Sequence, residues 1–397
     1  MAGTAGTIVR GVRAPIIKQG DDIADITVQS VMECAQEQGF SFHNKDVIAV
    51  TEAVVARAQG NYCSVDDIAQ DIRHHFPTGE FGVIFPIFSR NRFSVCWKGI
   101  CLGAKKITLQ LAYPCDEVGN HLVSLDDLDC KGINPYSDVL TESQFRAHFG
   151  SLSHEFTGVD YIEFYRNIAE EAGTEIEIIL ANDPRVILNY SKNVLCCDIH
   201  SRERSKRLLK NAGAEIILGL DNIMNKPIRG SGFHAEYGLL GSNKATETTV
   251  KLFPRVCQDF AEKVQAQMLE KTGKVVEVMV YGDGAFCDPV GHIWELADPV
   301  VSPGYTKGLE GRPNEVKLKY LADNQFSHLK GDALKTAIKE YITHKEGSLK
   351  GQMVSQGTTP RRIIDLLGSL CDLTSGSGDK GTPIVLVQGY FDNYSDQ

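Results

Sequence analysis

The sequence runs to 397 residues, 42% of them hydrophobic and 23% charged, with a formal net charge of -10. That length exceeds one ordinary core, so two or three lobes are expected, and the mix excludes a largely disordered chain. The acidic balance argues against nucleic acid as the main partner, because phosphate neutralisation needs clustered Lys and Arg; a nucleotide needs only one local basic or metal site.

No apolar run is long enough to span a bilayer. The opening MAGTAGTIVRGVRAPII lacks the uninterrupted apolar core of a secretory signal. The 11 cysteines contain no C-x-x-C pair, which excludes a zinc ribbon or a thioredoxin-type site. Reduced thiols fit a reducing compartment, and the expected location is the cytoplasm.

In chain order, TIVRGVRAPII reads as a strand ending at the Pro15 break. Asp21 or Asp22 caps a predicted helix that stops at Gly39. Val47–Val50 is a short buried strand, and the segment after it ends at Gly60. Ser64, with Asp67 three residues on, starts another helix. EFGVIFPIFS is a further strand. From about Arg90 to Phe156 the alternating strand LGAKKITLQLAYP is followed by a turn-rich acidic stretch, which reads as an inserted lobe. Strand and helix signals then resume: TGVDYIEFYRNIAEEAG as an amphipathic helix, EIEIILAND and NVLCCDIH as strands, a basic helix, EIILGLDNI, and a helix through VQAQMLEKTG. KVVEVMVYGDGAF is a strong buried strand stopping at a glycine-flanked aspartate. Two late helices, near Asp332–His344 and Pro360–Leu373, precede the loop TSGSGDKGT and a terminal strand, PIVLVQGYF. The expected class is α+β, a mixed α/β fold. Its expected divisions are 1–90, an inserted lobe at 91–156, a central part at 157–320 and a C-terminal part at 321–397.

Three of these segments resemble the coenzyme F-420 gamma-glutamyl ligases. They are QGDDIADI with DVIAVTEAVVARAQG (Gln19–Gly60), VMVYGDGAF (Val278–Phe286), and IIDLLGSLCDLTSGSGDKGTPIVLVQGY (Ile363–Tyr390). Their order along the chain carries the resemblance. It implies a two-lobed gamma-glutamyl-ligase-like fold with an inserted segment, and a homodimer. It also implies an enzyme that activates a small carboxylate with GTP (or ATP) and joins it to an amino acid, glutamate in the first instance, using Mg or Mn.

Amide formation through an acyl phosphate needs divalent metal and fixed donors around the phosphates. Asp283 and Asp288 lie on a Gly-rich turn after a buried strand, where Gly282 and Gly284 leave the backbone open to phosphate. Asp283 is the expected metal ligand and catalytic carboxylate, with Asp288 a second candidate. Against this, Asp-Gly is common in solvated turns, and Asp288-Pro289 can simply start one. The resemblance implies a further metal carboxylate near Ser242-Asn243, but Leu240-Gly241 stands where it would fall, so Glu247 or Glu236 is the candidate. Equally, Glu247 can be an exposed helix-start glutamate.

For the nucleotide, the resemblance implies Thr51, Arg57, Asn243, Ser375, Gly376, Gly378 and Lys380, with Ala53 standing where the family has a lysine. Lys244, Arg361 and Arg362 are further candidate anion contacts. Cold, Arg57 is a surface helix charge and the Ser375–Lys380 stretch a flexible loop that is not a Walker A motif. His292 and Glu295 read as a half-buried histidine and its neighbour beside Trp294, and Cys287 as an inert thiol. The other functional class in play is a non-catalytic nucleotide- or metabolite-binding protein on the same scaffold.

Overall fold

Ile48 and Val50 face one way along their strand and Val47 and Ala49 the other, and all four are fully buried. A strand apolar on both faces must lie inside a sheet covered on both sides. In the computed structural model, which describes residues 6–282, 300–355, 361–374 and 378–396, Val47–Thr51 is the middle of a five-stranded sheet. Its spatial order is Ile8–Val12, Ile384–Gln388, Val47–Thr51, Glu277–Tyr281 and Gly304–Tyr305. Only the pair Val47–Thr51 and Glu277–Tyr281 is parallel. Helices Ile23–Gln38 and Cys257–Thr272 contribute to the core on one face, and Ile363–Thr374 to the core on the other. The expected caps are there: Asp22 accepts from Ala24 N–H and Asp25 N–H, and Gly39 takes the left-handed conformation that ends the helix.

The second lobe is a six-stranded sheet in the order Leu140–Thr141, Glu175–Leu180, Lys106–Leu111, Glu80–Ile84, Asn193–Cys196 and Ile216–Gly219. All neighbours are parallel except the short first strand. Numbered along the chain, the five parallel strands run 3-2-1-4-5, a doubly wound order. This differs from the expectation of a separate inserted lobe at 91–156. Lys106–Leu111, the regular strand of that stretch, sits between Glu80–Ile84 and Glu175–Leu180, both from outside it. The expected boundary at residue 90 cuts through this lobe.

Helix Val65–His75 starts at a full Ser64–Asp67 capping box. It packs closely on helix Ser94–Leu102. A Cβ on Gly99 would meet the Ile68 Cβ at 2.7 Å and the Val65 carbonyl oxygen at 3.0 Å. One turn later, a Cβ on Gly103 would lie 2.8 Å from the Ala69 carbonyl oxygen.

The chain enters this lobe along Tyr62–Ser64 and leaves it along Thr249–Lys251, and these two crossings pair with each other antiparallel. Asn243–Lys244 adds a third strand. Residues between about 316 and 354 form a small helical unit around Leu321, Ile338, Ile342, Leu349 and Val354. Among the described residues, no helix is long and apolar enough to cross a membrane.

Candidate functional site

Parallel strands Val47–Thr51 and Glu277–Tyr281 end level, with Thr51 opposite Tyr281. Ile384–Gln388 runs the other way, so it begins where they end: Thr51 N–H donates to the Pro383 carbonyl at 3.0 Å. Next to it, Ala14 N–H donates to the Gly381 carbonyl at 3.2 Å. Behind helix Glu52–Ala58, Gly20 N–H donates to the Ala58 carbonyl at 2.8 Å. Four stretches remote in sequence therefore meet at one end of the sheet: 12–20, 51–60, the exit at Gly282, and 378–383. In open α/β sheets this end, at the carboxyl termini of parallel strands, is where ligands bind.

Two charges are buried here. Glu52, directly after Thr51, takes Lys251 Nζ on both carboxylate oxygens, at 2.7 and 2.8 Å. The side chains are only 5% and 10% exposed. Lys251 comes from the crossing strand that leads out of the second lobe, where Asn243 is its ladder partner. Ser242, next along, holds a buried Oγ 3.3 Å from Cys96 Sγ. Sequence reasoning missed Glu52 and Lys251: they are 199 residues apart, and no local pattern joins them.

The site residues named from sequence divide three ways. Thr51 and Asn243 lie at this end of the sheet. Arg57 is exposed in the last turn of the helix that Glu52 begins, and Gly378 and Lys380 are exposed just before the strand that starts at Ile384. Asp283, Asp288, Ser375 and Gly376 lie outside the described residues, as do Gly284, Cys287, His292, Trp294 and Glu295. Asp283 directly follows Gly282, whose N–H donates to the Val301 carbonyl at 2.8 Å.

Glu247 is elsewhere. It sits at the tip of the turn between Asn243–Lys244 and Thr249–Lys251, with its side chain 82% exposed and paired to Lys244. That pairing holds its carboxyl below the usual range. Strand rise carries it on the order of 10 Å from Lys251. Glu236 is exposed. Arg362 is engaged at 3.0 Å by Asp365, in the first turn of the helix that follows it. The stretch Gly376–Gly381 spells G-x-G-x-x-G, a spacing sequence reasoning passed over; it follows a helix and precedes a strand, the reverse of the dinucleotide-binding order.

The second lobe has its own strand-order reversal, between Glu80–Ile84 and Asn193–Cys196. The loop after Lys106–Leu111 crosses to it. There the Glu117 carboxylate accepts the N–H groups of Ile199, His200 and Ser201, and the Ser201 hydroxyl at 3.1 Å. An internal carboxylate thus occupies the start of helix Arg202–Asn211. Beside it, Asp116 accepts from Phe88 N–H at 2.7 Å and Asn120 Nδ2 at 2.7 Å, and burial pushes its carboxyl up to about 6.

Magnesium in a triphosphate site needs only one or two carboxylates. Among the described residues, no group of three or more His, Cys, Asp or Glu is placed to hold a metal ion. The one buried carboxylate identified at the sheet end, Glu52, is committed to Lys251. The described residues alone therefore do not fit a metal set.

Comparison with curated proteins returns no match. Comparison with families returns one described as F420-0:Gamma-glutamyl ligase, over residues 11–389. That span takes in nearly the whole five-stranded sheet, both crossing strands and the entire second lobe, and the chain belongs to the F420-0:gamma-glutamyl ligase family.

Proposed function

We propose that the protein is a nucleoside-triphosphate-dependent amide ligase, using GTP or ATP to join an amino acid, glutamate in the first instance, to a small carboxylate. Family membership carries the ligase activity. The observation that supports the finer reading is the sheet end itself, where Thr51, Asn243, the Gly282 exit and the 378–383 loop converge around a buried cation. In the proposed reaction the acceptor carboxylate oxygen attacks the γ-phosphorus, and the bond to the β-phosphate oxygen breaks to release the diphosphate. The amine nitrogen then attacks the acyl carbon, and the C–O bond breaks to release orthophosphate while the nitrogen loses a proton.

The chain's own groups bind and orient. The Thr51 hydroxyl and the open backbone around Gly378 suit phosphate oxygens, and Arg57 and Lys380 supply exposed positive charge at the rim. A divalent ion, Mg or Mn, would neutralise triphosphate charge, with Asp283 and Asp288 as its candidate ligands. A homodimer and a cytoplasmic location belong to the same proposal.

The test is orthophosphate release against a panel of amino acids and carboxylate acceptors, with product masses measured. Release that depends on both an amino acid and an acceptor, with a product lighter than their sum by one water, is the expected result. Stabilisation by nucleotide without release under any pairing would instead mark a binding protein on this scaffold.

A further inference from the structure

We infer that Lys251 is a phosphate contact of this site and that Glu52 is the residue that positions it; the inference rests on the ligase reading above. Three observations carry it. The first is place: Lys251 leaves the second lobe on a crossing strand, yet its ammonium reaches the first residue after the central strand, level with the Gly282 exit. The second is charge. Helix Glu52–Ala58 has one cation of its own, Arg57, in its last turn, so Lys251 is the buried positive charge at the strand end. The third is valence. An ammonium has three N–H donors. Two go to Glu52, and the third has no partner among the described residues.

A buried ion pair is a poor choice if stability is all it serves, because an apolar pair of similar volume is commonly as stable or more so. Here the geometry does something an apolar pair does not. Glu52 grips the ammonium from one side, fixes a flexible side chain and leaves one donor directed away from the carboxylate. The ammonium is already stripped of most of its water, so its contact with a phosphate oxygen needs little further desolvation.

The experiment removes the charge without leaving an orphan. Paired replacements Glu52→Leu with Lys251→Met, and separately Glu52→Gln with Lys251→Gln, are titrated with Mn–GTP and Mn–ATP, and thermal stability is recorded. Lys251→Arg serves as the conservative control. The expected result is a folded paired variant, of either design, with triphosphate affinity at least tenfold weaker and affinity for guanosine or adenosine unchanged. Lys251→Arg should recover part of the loss. A folded paired variant that binds triphosphate within threefold of the unaltered protein makes the pair purely structural and overturns the assignment, while leaving the ligase reading in place. If the unaltered protein binds neither triphosphate, the ligase reading falls and takes this assignment with it. Failure of both paired designs to fold also overturns it, since the pair would then be needed for folding itself.

Discussion

The carboxylate of Glu117 accepts the backbone N–H of His200 at 3.1 Å across 83 residues of sequence. It bridges two loops at the carboxyl ends of the parallel strands, at the second lobe's strand-order reversal. In many doubly wound sheets that position receives a ligand's anion; here the chain supplies its own.

Glu117→Gln should therefore be destabilising without touching the five-stranded sheet. The amide keeps one acceptor oxygen but turns an NH2 group towards backbone donors. Hydrogen bonds to charged groups are worth about 1.5–3 kcal/mol, and loss of a negative charge at a helix start adds a few tenths more. An unfolding free energy lowered by about 1–3 kcal/mol, read as a lower urea midpoint at unchanged slope, is expected. An unchanged midpoint would mean that the contact contributes nothing.

Asp198 gives a pH prediction. It is fully buried, and its Oδ2 accepts the hydroxyls of Ser201 and Ser205, each at 2.8 Å. Its Oδ1 has no partner among the described residues. Burial pushes the carboxyl up to about 6, against the pull of the two hydroxyls, and the Glu117 charge adds to the rise. A folded-state value above the unfolded one means the native state binds more protons between about pH 4 and 6. Stability contributed here falls as pH rises through that window, and the penalty is complete above it. Two pH units set an upper bound of about 3 kcal/mol. Asp198→Asn should raise the melting temperature near pH 8 and flatten its slope on the acid side. Some slope persists from Asp116, which titrates in the same range.

Gly99→Ala tests the close packing of helices Val65–His75 and Ser94–Leu102. The added methyl meets backbone as well as side chain, so the helices must part. Overpacking of this kind costs about 1–3 kcal/mol. Calorimetry should show a lower melting temperature with no loss of helix by circular dichroism. A variant as stable as the parent would show that Ile68 and the Val65 carbonyl move aside freely.

Asp283→Asn tests the ligase chemistry. The aspartate follows the exit of a fully buried strand, so the fold should survive the change. Orthophosphate release should drop by at least a hundredfold at limiting Mn, about 2.7 kcal/mol of barrier. Full turnover at limiting Mn would remove Asp283 from the metal assignment.

Local signals in the sequence suffice where one segment is enough to decide the outcome. Asp22, Gly39 and the Ser64–Asp67 box mark helix ends by their own hydrogen bonding. The apolar runs at Val47–Thr51 and Glu277–Tyr281 announce strands covered on both faces. What was not legible depends on who pairs with whom. Lys106–Leu111 was recognisable as a strand, yet its neighbours are Glu80–Ile84 and Glu175–Leu180, so the acidic turns after it looked like an insertion rather than the loop that carries Asp116 and Glu117. Lys251 reads as an ordinary strand lysine until the fold brings it to Glu52. Glu247 shows the converse: its position in sequence near Asn243 suggested a shared site, but a hairpin turn points it into solvent.

Tyr62 and Lys251 are ladder partners, so the two ends of the second lobe stand only about 5 Å apart. A span that begins and ends at one place is topologically a guest: its host needs no rerouting to receive it, and a short turn would close the gap it leaves. Cut at those two points, the doubly wound lobe keeps its sheet and most of its core, and the five-stranded sheet keeps every strand. The chain therefore joins two separately closed sheets at one ribbon. Because the outgoing half of that ribbon carries Lys251, the guest's last strand hands the host the buried cation at its sheet end.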